Sequence, residues 1–171
     1  MRKVAVFGNA GGGKSTLAKI LAARMQLPLY ALDTICFYPD GGAVPEDVYL
    51  KRHAELLAQS EWLIDGYGNP ASLWARLSEA DTLIYVDLPL PVHFWWVTKR
   101  LIKSLWVAPE GWPDNSPMLH GTLNAYRVIW LCHKALTPKY RAYVLVATAS
   151  KKVFHLRSRS EIKRFLEGLS A

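Results

Sequence analysis

Short apolar runs alternate with segments of helical periodicity along the chain. The runs have the length of strands and are rich in β-branched and aromatic residues. Between them, apolar residues recur at three- and four-residue spacing, which indicates helices. Strands that alternate with helices are typical of a parallel sheet covered by helices, so the pattern predicts an α/β fold.

The boundaries of the elements follow from the same pattern. Strands are expected at 2–7, 28–32, 62–64, 82–86 and 152–156. Helices are expected at 15–25, 46–59, 70–79, 91–106, 118–136, 138–149 and 160–169. Thr137 is interpreted as an N-cap before Pro138 at the first helical position. Residues 107–117 hold three prolines and a glycine, which is typical of a loop or small lid. We expect one three-layer domain over residues 1–171.

A glycine-rich loop joins the first strand to the first helix. Its sequence, GNAGGGKS, matches the pattern G-x-x-x-x-G-K-[ST] in the strand–loop–helix context that the motif requires. Glycines let backbone N–H groups turn inward around phosphate oxygens, and the start of a helix adds a positive dipole end. An accidental glycine turn is the alternative, but the context favours a nucleoside triphosphate. Lys14 would reach the outer phosphates and Ser15 would ligate Mg²⁺. The predicted nucleotide contacts here are Gly8, Asn9, Ala10, Gly11, Gly12, Gly13, Lys14, Ser15 and Thr16.

Three aspartates follow predicted strands, where ligands bind in open α/β sheets. Asp65 and Asp87 each close an apolar strand, and either is a candidate for the magnesium shell or a structural cap. Asp87 directly follows four apolar residues, 83–86, so spacing alone favours it over Asp65. Asp33 follows the second strand and would accept a hydrogen bond from a substrate hydroxyl, act as its general base, or cap a turn.

Basic residues flank the proline-rich segment. Lys99, Arg100 and Lys103 precede it and Arg127 follows it. Such side chains suit a lid that neutralises charge on a transferred phosphoryl group and excludes water. A solvated helical face is the alternative; Arg100 and Arg127 are the favoured functional candidates.

Composition and charge narrow the class of protein. The chain has 171 residues, 51% of them hydrophobic and 20% charged, as in soluble globular proteins. Residues 1–96 carry 8 Lys and Arg against 10 Asp and Glu, whereas residues 97–171 carry 13 against 4. The basic half favours anionic ligands, and nucleic acid is one possibility. The two cysteines and five histidines form no metal-ligand pattern. With no signal peptide or membrane-length apolar run, we expect a cytoplasmic protein without membrane contacts.

Taken together, these segments resemble the adenylate-kinase-like group of P-loop kinases, and more closely the bacterial proteins labelled DNA topology modulation protein. The resemblance covers nearly the whole chain. It is carried by residues 8–16, 29–33, 62–66, 84–89 and 156–166. It implies a five-stranded parallel sheet in the order 2-3-1-4-5 and assigns the magnesium-shell acid to Asp65 rather than Asp87. It also implies that residues 157–160, with Arg157 and Arg159, pack against the base, and that Arg100 matches the first lid arginine.

The chain departs from the nucleoside-monophosphate kinases on the acceptor side. Those enzymes carry an arginine shortly after the Asp-Gly pair, where this chain reads GYGN at 66–69. They carry another after the position of Asp33, where this chain reads TICF at 34–37. Their second lid arginine would fall near Ser104, beside Lys103. The donor side is therefore intact, whereas the usual acceptor side for AMP is largely missing.

The leading hypothesis is ATP- and Mg²⁺-dependent phosphoryl transfer to a small-molecule acceptor. The alternative is a nucleotide-dependent regulatory ATPase or switch that binds nucleic acid or protein through the basic half. No Asn-Lys-x-Asp base-reading motif, helix-turn-helix or zinc signature supports that alternative. The acceptor, the choice of ATP over GTP and the oligomeric state stay open.

Overall fold

A five-stranded parallel sheet organises the chain. The computed structural model describes the backbone of residues 1–36, 38, 42–104 and 118–169, and the side chains of these residues except 33, 104 and 118–122. The strands are β1 (Lys3–Gly8), β2 (Leu29–Ala31), β3 (Trp62–Asp65), β4 (Thr82–Val86) and β5 (Lys152–Leu156). They pair in the order β2-β3-β1-β4-β5, all parallel. This is the predicted fold and strand order.

The register brings three strand ends to one edge of the sheet. Val6 of β1 lies opposite Asp65 of β3, and Gly8 of β1 lies opposite Val86 of β4. β3 and β4 are buried along their whole length. A parallel sheet is covered on both faces, which explains why these strands are continuous apolar runs rather than alternating ones.

Helices cover both faces of the sheet. They are α1 (Lys14–Met25), α2 (Leu32–Cys36), α3 (Glu46–Leu57), α4 (Pro70–Glu79), α5 (Leu90–Ser104), α6 (Met118–Ala135), α7 (Thr137–Ala147) and α8 (Arg159–Gly168). One hydrophobic core joins the sheet to α4 and α7 through residues such as Leu77 and Val144. A second core joins the other face to α1 and α8 through residues such as Leu21 and Phe165. The result is a three-layer P-loop fold.

Two local predictions were incomplete or wrong. The helix α2 was not predicted, because five residues are too few to display a helical period. Thr137 is not an N-cap: Leu136 holds that position, and Thr137 is the first residue of α7 and is buried. Only Leu136 separates α6 from α7, so the chain enters α7 without the extended residue that an N-cap normally supplies.

Two further expectations concern the lid and the membrane. The lid-like segment 107–117 lies outside the described residues. Among the helices that are described, none is both long enough and apolar enough to span a bilayer.

Candidate active site

The glycine loop lies between the end of β1 and the first turn of α1. Gly8, Gly11 and Gly13 have φ values of 140°, 68° and 70°. A Cβ atom on Gly8 would lie 2.2 Å from the carbonyl oxygen of Val86, and one on Gly13 would lie 2.7 Å from the ring of Trp96. Glycine is required at these positions by conformation and by space.

Polar contacts hold the loop in place. The Lys14 ammonium donates to the carbonyl oxygen of Asn9 at 2.9 Å, so its side chain folds back along the loop. The buried Asn9 amide donates to the carbonyl oxygen of Ile129 in α6 at 3.0 Å and accepts from the Ala10 N–H at 2.8 Å. The loop is thus tied to a helix that follows it by more than a hundred residues.

His93 of α5 supports the same loop and was not identified from the sequence. Its Nδ1 lies 2.7 Å from the carbonyl oxygen of Ala10 and its Nε2 lies 3.1 Å from that of Leu88. A neutral imidazole can donate to only one of them. Burial lowers the pKa of His93, and the nearby Lys14 adds to this, while the two carbonyl contacts oppose it. Nothing in the sequence marks His93, because a single histidine at the start of a helix has no characteristic spacing.

A mainly apolar cavity of about 360 Å³ opens beside the loop. It is lined by Gly11, Gly12, Gly13, Thr16, Leu17, Ile20, Trp96, Val97, Arg100, Ile162 and Leu166. The Arg159 guanidinium carbon lies 5.7 Å from the centroid of the Trp96 ring at this cavity. The size and the apolar walls of this cavity are typical of small-molecule pockets. Of the residues selected from the sequence, Arg100 therefore lines the cavity and Arg159 lies beside one of its walls, Trp96.

Asp65 occupies the strand end next to the loop. It is the last residue of β3 and is 4% exposed. Its Oδ1 atom is buried and has no hydrogen-bond partner among the described residues. An unpaired buried carboxylate oxygen fits a hard divalent cation or a water of its shell. Ser15, the other predicted ligand, is exposed in the first turn of α1. The described residues contain no cluster of three or more histidines, cysteines and carboxylates suited to a metal ion.

Asp87 is engaged differently. Both its carboxylate oxygens accept hydrogen bonds from Arg141, at 2.8 and 3.0 Å, and His155 Nε2 lies 2.8 Å from Oδ2. Burial alone would raise the pKa of Asp87, but the Arg141 and His155 contacts outweigh it and hold the pKa below its ordinary value. Arg157 contacts His155 Nδ1 at 3.2 Å and lines a separate cleft. Asp87 thus joins α7 to β4 and β5.

The remaining sequence candidates lie on α2, α5 and α6. Asp33 belongs to α2, directly after β2, but its side chain is outside the described part of the structure. Arg127 is exposed on α6, two residues before Ile129, which packs against the glycine loop. Lys99 and Lys103 are exposed on α5.

Arg76 is a second residue that sequence reasoning missed. It lies in α4, is fully buried, and donates from Nη2 to the carbonyl oxygen of Gly66 at 2.8 Å. The signal was present in the sequence: Arg76 stands at helical spacing between Leu73 and Ala80, on the apolar face of the helix. A charged residue on such a face is unusual and indicates a buried polar contact.

Three solved structures of similar fold are kinases. A shikimate kinase from Bacteroides thetaiotaomicron aligns with a TM-score of 0.56 and 17% identity over 98% of both chains. A sugar kinase from Janibacter, solved without ligand, gives a TM-score of 0.52 and 20% identity over 99% of this chain and 95% of its own. A shikimate kinase from Acinetobacter baumannii, solved with shikimate, gives a TM-score of 0.61 and 14% identity over 99% of this chain and 91% of its own. At these identities the comparisons show a shared P-loop kinase-like fold.

Comparison at the level of sequence adds no family. No protein-family model matches the chain, and no curated protein matches it significantly.

Proposed function

We propose that this chain is an ATP- and Mg²⁺-dependent phosphotransferase that acts on a small-molecule acceptor. The observation that carries the proposal is the glycine loop between β1 and α1, with positive φ at three glycines and an apolar cavity beside it. Loops of this kind present successive backbone N–H groups to phosphate oxygens. The kinase folds of the similar structures support the same interpretation.

The donor would bind along the loop and in the cavity. Backbone N–H groups of residues 9–15 and the Lys14 ammonium would hold the β- and γ-phosphates. The base would lie in the apolar cavity against Trp96, with Arg100 and Arg159 at its edge. Lys14 would exchange its contact with the Asn9 carbonyl oxygen for a stronger one with a phosphate oxygen.

Asp65 and Ser15 are the residues that would hold Mg²⁺. The pairing of both Asp87 oxygens with Arg141 supports Asp65 over Asp87. Bound Mg²⁺ would neutralise negative charge on the phosphates.

The transfer itself needs an acceptor hydroxyl aligned with the γ-phosphorus. The hydroxyl oxygen would form a bond to the γ-phosphorus as the bond between that phosphorus and the bridging oxygen breaks, and ADP would leave. Asp33 would orient the hydroxyl or accept its proton. Arg100 and Arg127 would close over the γ-phosphate and stabilise the charge on the transferred group. An acceptor other than AMP is expected, because the usual arginines for its phosphate are absent at 66–69 and 34–37.

A screen of ATP consumption against nucleotides, nucleosides and small hydroxylated metabolites tests the proposal. A sharp increase in rate with one class of acceptor is the expected result. A slow ATP turnover that no acceptor changes would instead favour the regulatory ATPase. The narrower resemblance to DNA topology modulation proteins names no enzymatic step. The alternative hypothesis of a switch that binds nucleic acid predicts a salt-sensitive shift of duplex DNA in a gel. The absence of a shift at low salt would contradict that alternative.

A further inference from the structure

A buried arginine lies behind the turn that follows β3. Arg76 is among the largest side chains with no exposed surface. Its guanidinium makes a hydrogen bond to the carbonyl oxygen of Gly66, the residue after Asp65. The other two guanidinium nitrogens, Nε and Nη1, are buried and have no hydrogen-bond partner in the described part of the chain. Removing a guanidinium from water with two of its nitrogens unpaired costs free energy.

The groups around Arg76 indicate which hydrogen-bond partner its guanidinium lacks. Burial lowers the pKa of Arg76, whereas Tyr49, Tyr140 and Asp65 raise it, and Asp65 is the carboxylate among these neighbours. Asp65 Oδ1 is itself buried and unpaired within the described residues, as is Nε2 of His53, whose pKa is lowered by burial and further by Arg76. Donors on the arginine thus lack acceptors while a neighbouring carboxylate oxygen lacks a donor. An ordered water bridging the two would satisfy both, as buried waters commonly do.

We propose that Arg76 is a positioning residue for Asp65, the proposed magnesium-shell carboxylate. One side of its guanidinium fixes the Gly66 carbonyl and therefore the turn that carries Asp65. The other side holds the buried Asp65 oxygen through a bridging water, so that the carboxylate keeps a single orientation. Partners of this kind, one shell removed from a metal, commonly change metal affinity by 10- to 100-fold. The inference rests on the proposed role of Asp65.

Calorimetric binding of ADP with and without Mg²⁺ tests the role without any acceptor. In Arg76→Met, the gain in ADP affinity on adding Mg²⁺ should fall by about tenfold, while metal-free ADP affinity stays within about twofold of wild type. Arg76→Lys keeps the charge and a donor and should recover part of the gain. Arg164→Met removes an exposed arginine of α8 and is the matched control, with no expected change.

If Arg76→Met folds poorly, Arg76→Lys is compared with wild type, and the double variant Arg76→Lys/Asp65→Asn is compared with Asp65→Asn alone. If Arg76 acts through Asp65, the lysine change has no further effect on Mg²⁺-dependent ADP affinity in the Asp65→Asn background. An equal loss with and without Mg²⁺, or an undiminished loss in the Asp65→Asn background, would overturn the positioning role. If Mg²⁺ does not change the ADP affinity of the wild-type protein, both this inference and the proposed Mg²⁺ site are wrong. Failure to find an acceptor would contradict only the proposed phosphoryl transfer.

Discussion

The donor side and the region behind the Asp65–Gly66 turn satisfy their polar groups in different ways. In the glycine loop, Asn9 and Lys14 each have a hydrogen-bond partner in the protein. Behind the turn, Asp65 and Arg76 bury polar atoms that have none among the described residues. The polar groups of the loop are thus paired with other parts of the protein, whereas the groups behind the turn leave buried atoms unpaired among the described residues. This difference is the basis for proposing a water between Asp65 and Arg76, whereas no such group is proposed for the loop.

Removal of the loop lysine should have the largest effect. Lys14→Ala should lower acceptor-dependent ATP turnover by about 10³-fold or more, because phosphoryl transfer depends on positioning and charge neutralisation. Coupled measurement of ADP release checks it. Lys163→Ala, which removes an exposed lysine of α8, should retain wild-type turnover. Wild-type turnover by Lys14→Ala would break the assignment of the donor side.

A methyl group on the first loop glycine should disrupt the loop itself. Gly8→Ala places Cβ 2.2 Å from the Val86 carbonyl oxygen at a φ of 140°. Backbone strain and overlap together should lower the free energy of unfolding by about 4 kcal/mol. Urea denaturation measures this, and Gly168→Ala, where the new Cβ meets nothing within 4 Å, is the matched control. Equal stability of the two variants would contradict the geometry of the loop.

His53 provides a test of the buried polar region through pH. Burial, with a contribution from Arg76, lowers the pKa of His53 from 6.5 to about 4. Below pH 6.5 the unfolded chain therefore binds a proton that the folded chain does not bind, and stability falls as the pH drops towards 4. The loss should reach at most about 3 kcal/mol.

Substitution by phenylalanine isolates that contribution. His53→Phe keeps a ring beside Tyr49, whose ring centroid lies 5.9 Å away, but removes the titrating group. The pH dependence of its unfolding free energy between pH 6.5 and 4 should be flatter than that of wild type. Parallel profiles for the two proteins would show that His53 titrates normally in the folded state.

A substitution in the cavity beside the loop should have a smaller effect, on nucleotide affinity. Trp96→Ala should weaken binding of a non-hydrolysable ATP analogue by about tenfold, since one aromatic contact is worth about 1–2 kcal/mol. Trp95→Ala is the matched control because that neighbouring side chain is 60% exposed. Calorimetry measures both affinities. A larger loss for Trp95→Ala than for Trp96→Ala would place the base elsewhere.

Sequence reasoning succeeded where a feature is encoded by consecutive residues. The loop at 8–15 is one such feature, and β4 and β5 were predicted at their observed bounds because continuous apolar runs mark buried parallel strands. The strand order came from the resemblance rather than from periodicity. The helix α2 escaped detection because it is a single short turn of chain.

Features that depend on packing between distant elements were not predictable in the same way. His93 became relevant only once α5 was seen to pack under the glycine loop. The pairing of Asp87 with Arg141 joins residues 54 positions apart, and a pattern of apolar residues does not report it. Arg76 is intermediate: its place on an apolar helix face was visible in the sequence, but its partner Gly66 was not.

The most direct test of the proposed function is a phosphate balance with γ-labelled ATP, Mg²⁺ and the acceptors that stimulate turnover. ADP, inorganic phosphate and phosphorylated acceptor are quantified together, with Lys14→Ala beside the wild-type protein. The account predicts that the label appears in the acceptor in an amount equal to the ADP formed, and that Lys14→Ala forms neither. Label recovered only as inorganic phosphate with every acceptor, or equal ADP formation by both proteins, would contradict it.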